Sequence, residues 1–134
     1  RKSERVAKSG KACAAILRNG QAGCEGEQLF NEARGANLSD AWLSNCLAAH
    51  LGFPSAMKAM GIYFRYGADP VPQDLVRSYA WYTVAENHGV SNVARHRDAI
   101  EKDMTPVQIA KAERLAAEWE PNPAECEAYE VAGE

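Results

Sequence analysis

Turns that contain glycine or proline divide this chain into short segments whose apolar residues recur at helical spacing. Asn19-Gly20 closes a first segment, and Gly52 and Gly89 close two later ones, at positions where a glycine can take the positive φ that ends a helix. Thr105-Pro106-Val107-Gln108 has the pattern of a capping box, with Pro at the first helical position. Alanine is frequent, and no segment alternates apolar and polar residues as a strand does. We therefore predict an all-α fold.

The helical segments also repeat along the chain. A shift of 37 residues places Ala48 on Ala85 and Gly52 on Gly89. A period near this length is typical of α-solenoids, in which each helix pair buries its apolar face against its neighbours. We predict a right-handed α-solenoid of antiparallel helix pairs with about six or seven helices, and a plain helical bundle is the alternative.

The chain length of 134 residues is that of one domain. Within it, residues 1–35 are predicted to form an atypical N-terminal cap and residues 36–104 the repeats. Residues 105–120 follow as a C-terminal capping helix, and residues 121–134 as an acidic tail.

Individual helix boundaries follow from local signals. Ser39-Asp40 is predicted to cap a helix that ends at Gly52, and Asp74 a helix that closes at Gly89. Residues 90–103 are predicted to continue as helix. Gly61 lies in the middle of a helical segment, where it is expected to let a facing helix come close. Ala80 and Ala85 are the expected small partners opposite it.

The segment from Ala56 to Gly89 resembles the Sel-one-like repeat, a relative of the tetratricopeptide repeat. The matching residues are Ala59-Met60-Gly61-Ile62-Tyr63, Tyr66-Gly67, the turn Val71-Pro72-Gln73-Asp74, Tyr79-Ala80-Trp81-Tyr82, Ala85 and Gly89. The continuation from Met104-Thr105-Pro106 to Trp119 resembles the terminal cap of many bacterial members. The resemblance covers residues 56–120, and it implies an adaptor or scaffold. Bacterial members are often secreted or envelope proteins, and they include immunity proteins that neutralise toxins.

The four cysteines are Cys13, Cys24, Cys46 and Cys126, and none of them forms a C-x-x-C pair. We predict two disulfides rather than four buried thiols, because a tail that contains Pro and Gly frays unless it is tied down, and Cys126 is the obvious tie. The preferred pairing is Cys13–Cys24 with Cys46–Cys126. Disulfides favour a periplasmic or secreted protein, with a cytoplasmic one as the alternative. A removed signal peptide is compatible with a chain that begins at Arg1.

Composition and motifs argue against several functions. The net charge is −3, with both signs spread along most of the chain, so we expect no nucleic-acid partner. No apolar run approaches the roughly 20 residues of a transmembrane helix. The histidines are His50, His88 and His96, and the first two lie near helix ends, where the helix dipole favours them. No catalytic or phosphate-binding motif is present. We predict no catalytic site, no metal and no cofactor.

The remaining prediction is a non-catalytic module that binds another protein, such as an adaptor or an immunity protein. The alternative is a hydrolase that acts on a cell-wall-like or β-lactam substrate. The predicted binding residues are Lys58, Ile62 and Arg65, which share a helix face at i, i+4 and i+7. First helices of stacked repeats line the concave surface of a solenoid, and a basic stripe there would select an acidic partner. An ordinary solvated surface is the alternative for this stripe.

Overall fold

A computed structural model of the protein describes residues 38–132, with side chains described over residues 41–129. Throughout this part of the chain the regular secondary structure is helical, which confirms the predicted all-α class. The six helices are α1 (Leu38–His50), α2 (Pro54–Tyr66), α3 (Leu75–Asn87), α4 (Ala94–Glu101), α5 (Pro106–Ala117) and α6 (Ala124–Ala132). Among these helices, none has both the length and the apolar character to span a bilayer.

At α2, α3 and α5, the predicted proline or capping residues lie at the start of the helix. Pro54 occupies the first turn of α2. The Asp74 carboxylate accepts the backbone N–H of Arg77 at 3.1 Å, so it caps α3. Thr105 and Gln108 form a reciprocal capping box at the start of α5, with distances of 2.8 and 3.1 Å. These bonds satisfy N–H groups that have no partner inside the helix.

Three boundary predictions are wrong. Ser39 and Asp40 lie inside α1, which already includes Leu38, so they do not cap it. The chain after Gly89 does not continue as helix until Ala94, because Asn92 takes a φ of 65°, which is not a right-handed helical value. Residues 121–134 are not simply a tail, since Ala124–Ala132 forms α6. Glutamates in the first turn of α6 favour that helix through its dipole.

The helices pack in chain order and then return to the start. α1 packs on α2 and α2 on α3, while α3 also contacts α4 and α5. α6 packs against α1. The Cys46–Cys126 disulfide joins these two helices, with 5.8 Å between the Cα atoms, which confirms one of the two predicted bridges. Cys13 and Cys24 lie outside the described residues.

Aromatic rings fill the space between α1, α2 and α6. Trp42 is fully buried and makes edge contacts with Tyr63, Phe64 and Tyr129 at centroid distances of 5.2, 6.2 and 5.5 Å. Its indole Nε1–H donates to the Cys126 carbonyl at 3.2 Å. Trp42 therefore combines a large buried apolar area with a satisfied polar group, as a core tryptophan requires.

Gly61 is a point of very close approach between α2 and α3. A Cβ atom at Gly61 would lie 2.7–2.9 Å from three ring carbons of Tyr82. The Ser78 hydroxyl donates to the Gly61 carbonyl at 2.7 Å. The predicted close approach is therefore confirmed, although the nearest atoms belong to the Tyr82 ring rather than to Ala80 or Ala85.

Gly61→Leu should destabilise the protein by about 1–3 kcal/mol or more, because the added side chain overlaps a ring that is itself fully buried. The measurement is the melting temperature by circular dichroism. Ala110→Leu, at an exposed position of α5, is the control and should melt like the wild type. Equal melting temperatures for Gly61→Leu and the wild type would contradict the close packing of α2 on α3.

Candidate functional site

A groove of about 520 Å³ lies between α2 and the connection from α3 to α4. Its lining residues are Ser55, Lys58, Ala59 and Ile62 from α2, with Val90, Ser91, Asn92 and Arg95 opposite. Two of the three predicted binding residues, Lys58 and Ile62, thus share one concavity. Arg95 adds a second cation that the sequence analysis did not single out.

Arg65, the third predicted binding residue, lies outside the lining of this groove. Its Nη1 atom is 3.4 Å from Nδ1 of His96, and its guanidinium carbon lies 5.1 Å from the centre of the Tyr66 ring. The Arg65 carbonyl accepts a hydrogen bond from the Gln73 side-chain amide at 2.9 Å. The predicted stripe is therefore divided between a groove and a neighbouring Arg–His contact.

The electrostatic environment of His96 shows that positive charge is concentrated here. Its imidazole stacks on the Tyr82 ring at a centroid distance of 5.1 Å. Burial lowers the pKa of His96 below its ordinary value of 6.5, and the charges of Lys58, Arg65 and Arg95 lower it further. Three cations therefore act on one imidazole in a chain whose net charge is −3.

The groove wall opposite α2 is held in place by contacts to α3. Val93 is completely buried and fixes the connection to the core. Arg97 of α4 reaches back to α3, where its guanidinium is 2.6 Å from the Glu86 carboxylate and 3.2 Å from the Thr83 hydroxyl. A part-buried Arg with two partners restrains α4, so the position of Arg95 relative to α2 is restrained as well.

A second concavity, of about 240 Å³, is lined by residues of α3, α5, the α5–α6 connection and the first turn of α6. The lining includes Trp81, Trp119, Asn122 and Glu125. His50 packs against both tryptophans, with its ring edge-on to Trp81 at 5.3 Å and stacked on Trp119 at 6.0 Å. The rings of Trp81 and Trp119 therefore line this cavity, and His50 packs against both rings without lining the cavity itself.

Hydrogen bonds determine the tautomer of His50. The backbone N–H of Asn122 donates to His50 Nδ1 at 2.9 Å, so Nδ1 carries no proton. The ring proton is then on Nε2, which lies 3.1 Å from Oε1 of Glu125. The other oxygen of Glu125 is 3.4 Å from Nη1 of Arg77.

Nδ1 of His50 is therefore occupied, whereas Nε2 lies near Glu125 without a hydrogen bond of good geometry, and the side chain is only 1% exposed. A general base must come within reach of the substrate proton, and the burial of the His50 side chain opposes that. The His50–Glu125 pair therefore joins α1 to α6.

The sequence analysis missed the His50–Glu125 pair, although a signal was present. His50 follows Cys46 by four residues on α1, so both lie on one helix face. Glu125 precedes Cys126 directly. A disulfide between the two cysteines therefore brings the imidazole and the carboxylate into the same region.

Comparison of the chain with protein-family models and with curated proteins finds no match. The Sel-one-like resemblance of residues 56–120 consequently remains a prediction from the sequence motifs.

Removing a cation from this region should raise the pKa of His96, because a positive charge disfavours the imidazolium. We expect Lys58→Met and Arg95→Met each to move the His96 titration to higher pH in an NMR pH series. Lys111→Met on α5, whose charge is not among those that shift His96, is the matched control. A titration that stays the same in both groove variants would show that the two charges do not converge on His96.

Proposed function

We propose that this protein is a binding module that holds an acidic segment of another protein in the groove between α2 and the α3–α4 connection. The observation that carries the proposal is the local excess of positive charge around Lys58, Arg65 and Arg95 in a net acidic chain. Ile62, half-buried beside them, offers apolar contact in the same concavity. Charge of one sign selects a partner of the other and speeds association, while a buried apolar contact adds affinity.

The size of the groove agrees with this role. Ligand-binding clefts in proteins commonly enclose about 300–1,000 Å³, and this groove encloses about 520 Å³. The wall and floor come from helices and a restrained connection, so the surface is preformed and little conformational entropy is lost on binding.

The proposed architecture is a right-handed α-solenoid of Sel-one-like repeats. The packing of α1 on α2 and of α2 on α3 in chain order supports it. The disulfide between α1 and α6 favours an oxidising compartment. We propose that the protein acts in the periplasm or outside the cell, as an adaptor or as an immunity protein that neutralises a toxin.

A hydrolase is the second candidate, because the His50–Glu125 pair lies beside an aromatic cavity. The burial of His50 and the hydrogen bond that its Nδ1 accepts from the Asn122 N–H weigh against it. The variant Glu125→Gln distinguishes the two candidate functions. It should abolish hydrolysis if the His50–Glu125 pair is catalytic, and it should leave partner binding through the groove unchanged.

Reversing the charge of Lys58 and Arg65 together should weaken partner binding about tenfold or more, since it replaces attraction by repulsion at an acidic segment. The partner is captured from an extract of the source organism with the wild-type protein, and its affinity is then measured for Lys58→Glu/Arg65→Glu. Lys111→Glu/Arg114→Glu makes the same charge change on the exposed face of α5 and is the control. Circular dichroism and melting curves should be unchanged in both variants.

Salt provides a further check, because attraction between exposed charges is screened as ionic strength rises. Wild-type affinity should fall with added salt, and the charge-reversed variant should lose most of that dependence. Equal affinity of the wild type and the groove variant would place the interface elsewhere, with the loop from Ala68 to Gln73 or the surface of α6 as the next candidates.

A further inference from the structure

The cavity of about 240 Å³ beside α3 and α5, which we call the aromatic cavity, combines indole rings with carboxylates. Its tryptophans are Trp81 and Trp119. Its charged lining residues are three carboxylates and one guanidinium, those of Glu118, Glu120, Glu125 and Arg77. We propose that the aromatic cavity binds a small quaternary ammonium cation such as choline. This site shares no lining residue with the groove beside α2, so the proposal stands apart from the function proposed there.

The two indole rings give the cavity a surface that attracts cations. Trp81 and Trp119 lie with their ring centroids 5.9 Å apart and their planes inclined at 69°, so they form a corner rather than a stack. His50 stacks on one face of Trp119 at 6.0 Å, and the opposite face is the one that a ligand can meet. The face of an indole ring carries negative charge density and attracts a cation more strongly than the other aromatic side chains do.

Two carboxylates of the lining are free to attract a ligand. Glu125 and Arg77 lie 3.4 Å apart, so their charges compensate each other. Within residues 41–129, by contrast, no ion pair involves Glu118 or Glu120, and both side chains are exposed. The cavity therefore has an excess of negative charge at its rim, which favours a positively charged ligand.

The end of α5 adds to this negative potential. The helix ends at Ala117, and Leu115, Glu118 and Trp119, which surround that end, all line the cavity. The last carbonyl groups of a helix give its C-terminus a partial negative charge, which favours a nearby cation. This contribution comes from the backbone and is independent of the two glutamates.

Size and polarity favour an alkylated cation over other positive groups. A volume of about 240 Å³ lies below the roughly 300–1,000 Å³ of clefts for drug-sized ligands, so the ligand is small. Ala80, Val84 and Leu115 give the lining apolar side chains on which methyl groups can pack. A quaternary ammonium group has no N–H donor to satisfy there, whereas a primary ammonium group has three. An attached phosphate would be repelled by the glutamates, so we expect a free cation.

The test is an NMR titration of the full chain with choline that follows the indole N–H signals of its three tryptophans. We expect saturable shifts at Trp81 and Trp119. Trp42 is buried outside the cavity lining and should not shift, so it serves as the internal control. The compound 3,3-dimethyl-1-butanol has the shape of choline without its charge, and it should bind about tenfold more weakly or worse. Phosphocholine should also bind more weakly, because its phosphate meets the carboxylates.

Charge variants test the carboxylates. Glu118→Gln/Glu120→Gln should weaken choline binding about threefold or more and remove most of its salt dependence, because attraction between exposed charges is screened by salt. Glu113→Gln/Glu127→Gln removes the same charge at exposed positions outside the lining and is the matched control. It should bind choline as the wild type does.

Ring variants test the indole. Trp119→Leu should weaken choline binding about tenfold or more, and Trp119→Phe should keep part of the affinity because it retains an aromatic face. Circular dichroism checks that both variants remain helical. If Trp119→Leu does not fold, the neutral isostere and the glutamate variants decide the question on folded protein.

Several outcomes would overturn the proposal. They are the absence of saturable shifts with choline, equal affinity for choline and its neutral isostere, and wild-type affinity in Glu118→Gln/Glu120→Gln. Shifts at Trp42 as large as those at Trp81 and Trp119 would contradict the site. Phosphocholine that binds as tightly as choline would contradict a free cation as the ligand.

Discussion

The close approach of α2 to α3 at Gly61 is the contact on which the rest of the structure depends. The absence of a side chain there lets the Tyr82 ring lie against the α2 backbone, and the Ser78 hydroxyl bonds to the Gly61 carbonyl. The other face of Tyr82 is then available to stack on His96 of α4. Through His96, the same contact sets where α4 lies relative to Arg65. Tyr82 thus links Gly61 of α2 to His96 of α4, the two helices on either side of the groove.

A second, independent set of contacts holds α6 against α1. The disulfide is its covalent part, and the indole of Trp42, the imidazole of His50 and the carboxylate of Glu125 surround it. The Trp42 indole N–H and Nδ1 of His50 each have a hydrogen-bond partner here, the Cys126 carbonyl and the Asn122 N–H, as burial demands. These contacts belong to α1 and α6, whereas the groove is lined by α2 and by the α3–α4 connection with the start of α4.

The chain has a net negative charge, but one part of its surface carries a cluster of positive charges. Its net charge describes solubility and says little about any one face. Lys58, Arg65 and Arg95 come from two helices that are far apart in sequence, yet they act on the same imidazole. A partner at this surface would meet the local field rather than the average charge, which is why we propose an acidic segment as the ligand of a net acidic protein.

The sequence by itself determined the helical class, the capping residues of α3 and α5, the close packing at Gly61 and the Cys46–Cys126 bridge. Each of these rests on a local signal: a side chain that bonds to a nearby N–H, a residue without a Cβ atom, or a tail that needs a tie. Tertiary structure alone decided that residues after Pro123 form a helix, that Arg95 joins Lys58, and that His50 meets Glu125. These depend on which helix faces meet, and helical periodicity indicates only that a face is buried, not which distant residues lie against it.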